Sequence, residues 1–213
     1  MQRIIFLLSL VAPLAASACA EPEEARLDHA QILAVRAEPS HVAPGGVARI
    51  DILAGDDSGA VYVTAPDTLV ATSASGPLRV ERTADGWFVT AGATPEVATL
   101  EVTIAIDGVS WPAKKALVVS EPADNPRVAA MQIDGSASDA LVAPVGSKPE
   151  LTAVGVGKEP LTYAWYSSVG SLERYRQPSA ALDAADPGEG TVLLVVRDAA
   201  GGVGWHLLPA RVE

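Results

Sequence analysis

Three histidines and a scatter of aspartates are the side chains in this sequence that could support metal binding or acid–base catalysis. The histidines are His29, His41 and His206, and no two of them have a metal-ligand spacing such as His-x-x-x-His. The sequence contains neither a Gly-x-Ser-x-Gly nucleophile motif nor a glycine-rich phosphate loop. We therefore expect no enzyme activity, no metal and no cofactor, with an envelope hydrolase built from distant Ser, His and Asp residues as a weaker alternative.

Acidic turns offer the hard oxygen ligands that calcium prefers. One such turn is Asp56-Asp57-Ser58 and another spans residues 134–139, but neither has the dense aspartate spacing of an EF-hand loop. Because aspartate, serine and glycine are also the usual residues of plain turns, we expect turns at both places. Asp183 and Asp186 could form the carboxylate pair of a glycosidase, but the surrounding sequence, DAADPGEG, is typical of a loop.

Aromatic residues are the remaining candidates for contact with a ligand. We expect Trp165 to lie in a core, since its strand is followed by a strongly apolar run. Trp111 precedes a proline, which cannot donate to a strand ladder and so indicates an edge strand. Trp205 follows a Gly-Gly turn. We predict that Trp111 and Trp205 are exposed and that they, with Tyr175, contact a protein partner or stack on sugar rings; the alternative is that each only covers its own sheet.

The only cysteine, Cys19, lies where an export signal would be cleaved. Residues 1–18 have one basic residue near the start, an apolar stretch too short to span about 30 Å of hydrocarbon, and then small residues, as in a signal peptide. The segment Ala16-Ser17-Ala18-Cys19 resembles a bacterial lipobox. The resemblance implies cleavage before Cys19, a diacylglycerol on its sulfur and an acylated amine. A lone cysteine at a cleavage point suits lipidation better than an unpaired secreted thiol.

The segment after the cysteine predicts a membrane tether. Residues 19–30 form the expected lipidated N-terminus and flexible tether, and eleven extended residues reach at most about 35–40 Å. Ala20, directly after the cysteine, resembles the outer-membrane sorting code of enteric bacteria. This resemblance implies an outer-membrane lipoprotein that faces the periplasm or the cell surface, with the membrane as a partner through the lipid anchor.

The charge of the chain argues against nucleic acid as a partner. The formal net charge is −11, and Lys114-Lys115 is the only basic doublet. A duplex-binding protein needs a basic stripe to displace counterions from phosphates. We therefore expect no binding to nucleic acid and no adhesion to anionic lipid through a polybasic patch.

A repeated pentapeptide and many short β-branched runs predict the elements that position these residues. Val-Ala-Pro-x-Gly occurs at residues 42–46 and again at residues 142–146, each time before an alternating apolar run. Strands of period two are predicted around residues 47–54 and 99–106, and Asp85-Gly86 and Asp107-Gly108 predict type I′ hairpin turns. Val192–Val196 is an uninterrupted apolar run, which predicts a strand that is buried on both faces or lies in the centre of a sandwich.

These elements predict an all-β chain of two tandem immunoglobulin-like β-sandwiches. The first covers residues 31–121, a short semi-rigid linker covers residues 122–127, and the second covers residues 128–213. The pairing of YAWYSSVGSL with VVRDAAGGVGW resembles the PKD-like and immunoglobulin-like repeats of bacterial surface proteins. The resemblance implies that Trp165 packs across the second core.

Such repeats are spacers and adhesion modules, so the fold leaves the function open. We expect a non-enzymatic envelope lipoprotein whose sandwiches bind another envelope protein or act as a structural spacer. The alternative is a carbohydrate-binding surface module, in which Trp111, Trp205 or Tyr175 stacks on a glycan.

Overall fold

A computed structural model describes residues 25–76 and 78–213, which are almost entirely β-structure. The predicted signal peptide, Cys19 and the start of the tether lie outside these residues. In the described part of the chain, no helix has the length and the apolar character needed to cross a bilayer.

The first sandwich has two sheets that face each other across one core. One sheet has the strand order β1-β3-β7-β6, with β4 also paired to β3, and the other has the order β2-β9-β8-β5. The strands are β1 Gln31–Glu38, β2 His41–Val42, β3 Val47–Gly55, β4 Val61–Thr64, β5 Thr68–Thr72, β6 Arg79–Thr83, β7 Gly86–Thr90, β8 Glu96–Ile106 and β9 Val109–Val119.

The second sandwich repeats this topology. Its sheets have the orders β11-β10-β13-β16-β15 and β12-β18-β17-β14. In both sandwiches a short strand leaves the first sheet and pairs in parallel with the last strand of the opposite sheet. The strands are β10 Arg127–Ile133, β11 Ser136–Ala137, β12 Leu141–Ala143, β13 Glu150–Val156, β14 Thr162–Ser167, β15 Ser171–Glu173, β16 Ser179–Asp183, β17 Gly188–Arg197 and β18 Val203–Val212. The predicted pair of tandem immunoglobulin-like sandwiches is therefore the fold of the chain.

The repeated pentapeptide has the same place in both sandwiches. It begins on the short parallel strand and makes the turn into the next long strand, so the sequence repeat marks a structural repeat. The glycine with positive φ is at a different position in the two turns. It is Gly45, the fourth residue of the first pentapeptide, and Gly146, the fifth residue of the second. The Gly45 amide donates to Gly92, just after β7, and the Gly146 amide donates to Ala184, just after β16.

Only one of the two predicted Asp-Gly turns has the expected geometry. Asp107 and Gly108 have φ values of 51° and 78° and join β8 to β9, as a type I′ turn requires. The hairpin between β6 and β7 is present, but Thr83 pairs with Gly86, so the turn residues are Ala84 and Asp85. Gly86 belongs to the strand, and the predicted turn position was wrong by one residue.

Each sandwich has its own apolar core, and a third apolar cluster lies between them. This cluster, which we call the seam, contains the buried residues Leu27, Leu33, Ala34, Leu53, Leu193, Val195 and Val203. It explains why Val192–Val196 is buried throughout, as predicted: the even-numbered residues face the second core and the odd-numbered ones face the seam. The two sandwiches therefore lie side by side with an apolar contact between them.

The linker is fixed by hydrogen bonds to both sandwiches. The Ser40 hydroxyl donates to the carbonyl oxygens of Ala123 and Asp124, at 2.8 and 3.0 Å. The Asn125 side-chain amide donates to the Ala37 carbonyl oxygen at 2.7 Å, and its own oxygen accepts from the Val203 amide at 2.9 Å. Asn125 thus joins β1 of the first sandwich to β18 of the second.

The last residues of the predicted tether belong to the folded structure. Ala25 is buried and Leu27 is only 1% exposed, within the seam. The Leu27 amide donates to the Ser167 carbonyl oxygen at 2.9 Å, and Arg26 makes a parallel bridge to Ser167. Leu27 is the apolar side chain of an otherwise polar segment, and it is buried in the seam. The prediction of a free tether as far as residue 30 was therefore wrong from residue 25 onward.

Candidate functional site

Trp111 is not the exposed anchor that the sequence suggested. The edge prediction is confirmed, since β2 pairs only with the last two residues of β9 and leaves the stretch around Trp111 and Pro112 at the edge of its sheet. The indole, however, is half-buried against the first core, and its Nε1 atom is buried with no hydrogen-bond partner in the described residues. The alternation along β9 turns Trp111 inward together with Leu117 and Val119.

Trp205 was also predicted to be exposed, and it lies against the seam instead. The guanidinium of Arg36, on β1, stacks 4.0 Å from the centre of the Trp205 ring. Arg36 is held in turn by Asp51, whose carboxylate is 3.0 Å from the guanidinium. The first sandwich covers the face of β18 that carries Trp205. The sequence of β18 alone cannot indicate that another sandwich packs there.

Tyr175, the third predicted contact residue, is also half-buried and packs against the second core. Its carbonyl oxygen accepts from the Trp165 amide at 2.8 Å, and the Trp165 indole donates to the Gln177 carbonyl oxygen at 2.8 Å. Trp165 itself is completely buried, so the prediction of a core residue is confirmed. The second core therefore fixes the loop that carries Tyr175 and Arg176 through both backbone and side chain.

Tyr175 lines an open groove of about 430 Å³ along β14, which we call the tyrosine groove. Its walls are Thr162, Tyr163, Ala164, Tyr166, Tyr175, Arg176 and Arg197. The Arg176 guanidinium lies 5.4 Å from the Tyr175 ring centre. The Arg197 guanidinium donates to the Leu33 carbonyl oxygen at 2.9 Å. The lining residues thus include three tyrosines and two arginines, and none of them is acidic.

A second cleft of about 460 Å³ adjoins the tyrosine groove and shares Thr162 and Arg197 with it. It lies where β9 approaches the second sandwich and adds Lys114 and Lys115 to its walls. The Lys115 ammonium donates to the Gly201 carbonyl oxygen across the two sandwiches. Burial, together with the charge of Arg197, lowers the pKa of Lys115, and Asp198 opposes this effect. The cleft therefore contains charges of both signs, with Lys114, Lys115 and Arg197 opposed by Asp198.

His41 and the acidic turn at Asp56 have structural roles. His41 joins the sandwiches, because its Nε2 atom lies 2.8 Å from the Ala200 carbonyl oxygen. One carboxylate oxygen of Asp56 accepts hydrogen bonds from the Ser58 amide, the Ser58 hydroxyl and the Ala60 amide, which closes an ordinary turn. Bonding to Ser58 lowers the pKa of Asp56. Within residues 25–76 and 78–213, no group of three or more His, Cys, Asp or Glu residues could hold a metal ion.

Sequence reasoning missed the outward surface of the β5–β8–β9 sheet. This surface, which we call the outer face, is mostly valine, threonine and alanine, and its exposed valines include Val70 at 58% and Val97 at 65%. Glu101 and Lys114 form an ion pair of 2.7 Å across it. A shallow groove of about 410 Å³ runs over it, lined by Thr68, Val70, Glu101, Val102, Thr103, Pro112, Ala113 and Lys114. β5 is an edge strand, so the face ends at unpaired backbone groups.

No known protein-family model matches the chain, and no curated protein matches it in sequence. Among solved structures, the chain is similar to the N-terminal Ig1-2 module of the Drosophila receptor protein tyrosine phosphatase DLAR, with 15% identity, a TM-score of 0.36, and coverage of 87% of this chain and 99% of that one. It is also similar to the fibronectin(III)-like modules of Clostridium thermocellum CbhA, with 13% identity, a TM-score of 0.34, and coverage of 86% and 94%. Neither similarity carries an argument about function.

Proposed function

We propose that the chain is a non-enzymatic lipoprotein of the bacterial outer membrane, anchored at Cys19, whose paired sandwiches bind another envelope protein. The observation that carries the binding proposal is the outer face, a surface with exposed valines that ends at the edge strand β5. Unpaired edges offer backbone donors and acceptors to a partner strand. Exposed apolar side chains beside such an edge supply area that a partner can bury.

The proposed anchor has a short reach. Cys19 is six residues before the buried Ala25, so the extended chain between them spans about 20 Å at most. The end of the molecule near Ser168 and Gly170 would therefore stay close to the headgroups, since Arg26 and Asp28 line a cavity with these residues. The outer face would stand beside the membrane, accessible to a neighbouring protein.

The two packed sandwiches favour presentation of a surface over a flexible spacer. Leu53 and Leu193 are both fully buried in the seam, and Asn125 fixes the linker to both sides. A partner bound to the first sandwich would therefore meet a body of fixed shape. This arrangement reduces the loss of conformational freedom on binding.

The binding proposal is tested by crosslinking in the native envelope. Val97→Glu places a charge on the outer face without disturbing a core, because the side chain is 65% exposed. We expect this variant to lose most of the protein crosslinks of the wild type, since a desolvated, unpaired carboxylate disfavours the complex. The readout is the set of crosslinked proteins identified by mass spectrometry.

Val154→Glu is the matched control, because Val154 is another exposed valine, at 48%, on β13 of the second sandwich. It should capture the same proteins as the wild type. The outer face is not the binding surface if Val97→Glu and Val154→Glu both retain every partner.

A further inference from the structure

We propose that β5 pairs with β5 of a second copy of this chain, in an antiparallel dimer whose two-fold axis passes through the centre of the strand at Val70. The proposal rests on the proposed function in one respect, because it takes the edge of β5 as a contact surface and names the partner of that edge. The outer face itself stays open to the envelope protein. The β5–β8–β9 sheets of the two copies would join into one continuous sheet.

β5 lacks the side chains that normally keep an edge strand from pairing. Exposed edges are usually protected by charged residues, prolines or a covering segment. In the described residues, the strands of five residues or more that end a sheet are β1, β5, β6 and β14. β6 is charged at Arg79, Glu81 and Arg82, whereas β5, Thr-Leu-Val-Ala-Thr, has neither a charge nor a proline.

The other two long edges are covered by other parts of the chain. β1 faces the second sandwich, where the Arg197 guanidinium donates to the Leu33 carbonyl oxygen at 2.9 Å. Beside β14, the Trp165 amide donates to the Tyr175 carbonyl oxygen at 2.8 Å. β5 pairs with β8 alone in the described part of the chain, so its second edge is left for a partner outside the chain.

The sequence of β5 is symmetric about its central residue. In an antiparallel pair centred on Val70, this valine opposes itself, Thr68 opposes Thr72 of the second copy, and Leu69 opposes Ala71. Val70 is 58% exposed and Leu69 is 6% exposed, so the alternation of outward and inward side chains continues across the pair. Opposed valines and threonines are favourable cross-strand pairs, and no like charges face each other. The edge is therefore complementary to itself, as a two-fold contact requires.

The acidic residues nearest to this edge do not prevent the approach of a second copy. Glu101 pairs with Val70 across β8 and β5, and its carboxylate forms an ion pair of 2.7 Å with Lys114. The two copies of Glu101 would be three strand spacings apart, roughly 14 Å, which exceeds the Debye length of about 8 Å at physiological ionic strength. The Asp67 carboxylate accepts from the Ala105 amide at 2.6 Å, and the two copies of Asp67 would lie at opposite ends of the pair, roughly 20 Å apart.

The small size of the contact makes its strength depend on concentration. Stable complexes in solution bury about 1,200–2,000 Å², and two strands of five residues bury less. Two copies held in one membrane by the proposed lipid at Cys19 would meet at a much higher effective concentration. The test therefore uses native membranes and also concentrated purified protein, so that its outcome does not depend on the anchor.

Thiol crosslinking with a short bis-maleimide tests the pairing in the full-length protein. Val70→Cys would place two thiols directly opposite each other, with Cβ atoms about 4.5–5.5 Å apart. We expect this variant to form a covalent dimer of twice the chain mass, both in native membranes and in the concentrated purified protein. The wild type, whose only cysteine is Cys19, gives the background.

Val97→Cys is the matched control, because Val97 is also an exposed valine of the outer face, at 65%. Val97 lies on β8, four residues from Glu101, so the proposed pairing would place the two Val97 side chains roughly 30 Å apart. The short reagent cannot span this separation. Val97→Cys should therefore form no more dimer than the wild type.

A charge exchange at Val70 tests the register of the pair. The reporter is the crosslink between a copy with Thr68→Cys and a copy with Thr72→Cys, which the pairing places opposite each other. Val70→Lys in both copies should abolish this crosslink, because like charges would be directly opposed. Val70→Lys in one copy and Val70→Glu in the other should restore it. Val70 is 58% exposed, so the thermal midpoints should stay near that of the wild type.

Four results would overturn the pairing. They are the absence of a dimer of Val70→Cys in both preparations, equal dimer formation by Val97→Cys, crosslinks of Val70→Cys to other proteins only, and a dimer that survives Val70→Lys in both copies. The envelope partner is tested separately, since its loss would remove the crosslinks to other proteins and leave the dimer of this chain unchanged.

Discussion

Replacing Trp165 with alanine is expected to destabilise the second sandwich by about 3–5 kcal/mol, the typical cost of truncating a large core aromatic residue. Trp165 is completely buried on β14 and contacts the core that includes Leu151, Leu194 and Leu208. The substitution also removes the indole donor to the Gln177 carbonyl oxygen. Since a domain typically has about 5–15 kcal/mol of stability, this loss takes a large share of it.

Chemical denaturation followed by circular dichroism measures the effect of Trp165→Ala. Limited proteolysis should show cleavage within residues 127–213 before cleavage of β1–β9. Trp165→Phe is the companion variant: it keeps most of the buried area but loses the Gln177 hydrogen bond, so it should cost clearly less. A thermal midpoint that hardly moves in Trp165→Ala would mean that the side chain does not support the core.

Leu193→Asp is expected to separate the two sandwiches. Leu193 is fully buried in the seam, where an unpaired carboxylate costs several kcal/mol. Opening the seam returns that carboxylate to water while each sandwich keeps its own core. We therefore expect a larger radius of gyration in small-angle scattering, and rapid proteolysis of residues 120–126, the segment that joins β9 to β10.

Leu207→Asp is the control for the seam. Leu207 pairs directly with Leu193 across β17 and β18, and so points to the same side of the sheet, but it is 38% exposed. This variant should keep the radius of gyration and the protease resistance of the wild type. If Leu193→Asp also keeps both, the seam does not hold the sandwiches together.

Local patterns in the sequence were sufficient to predict several of the longer strands and one residue at the centre of the second core. Alternation along β8, the Asp107-Gly108 turn and the buried Trp165 follow from short-range chemistry that each segment carries by itself. The continuous apolar run at Val192–Val196 correctly indicated burial on both faces. It could not indicate what covers the second face, because that information lies in Leu33 on β1 and Leu53 on β3, which precede Leu193 by 160 and 140 residues.

The candidate sites were harder to predict for the same reason. Trp205 follows a turn, as an exposed residue often does, but packing of the first sandwich places it under Arg36. The tyrosine groove needs Thr162 and Arg197, which strand pairing brings together from positions 35 residues apart, and also a loop whose shape depends on Trp165. Tyr175 was predicted to be a contact residue because it is aromatic. That Arg197 lines the same groove could be seen only from the fold.

The anchor at Cys19 is the central claim of the proposed function, and the intact mass of the protein extracted from membranes tests it most directly. The claim predicts a mass that exceeds that of the chain from Cys19 to Glu213 by a diacylglycerol and a further acyl group, and a Cys19→Ser variant that is released from the membrane fraction. A soluble protein that keeps a free thiol at Cys19, or a Cys19→Ser variant that remains membrane-bound, would contradict it.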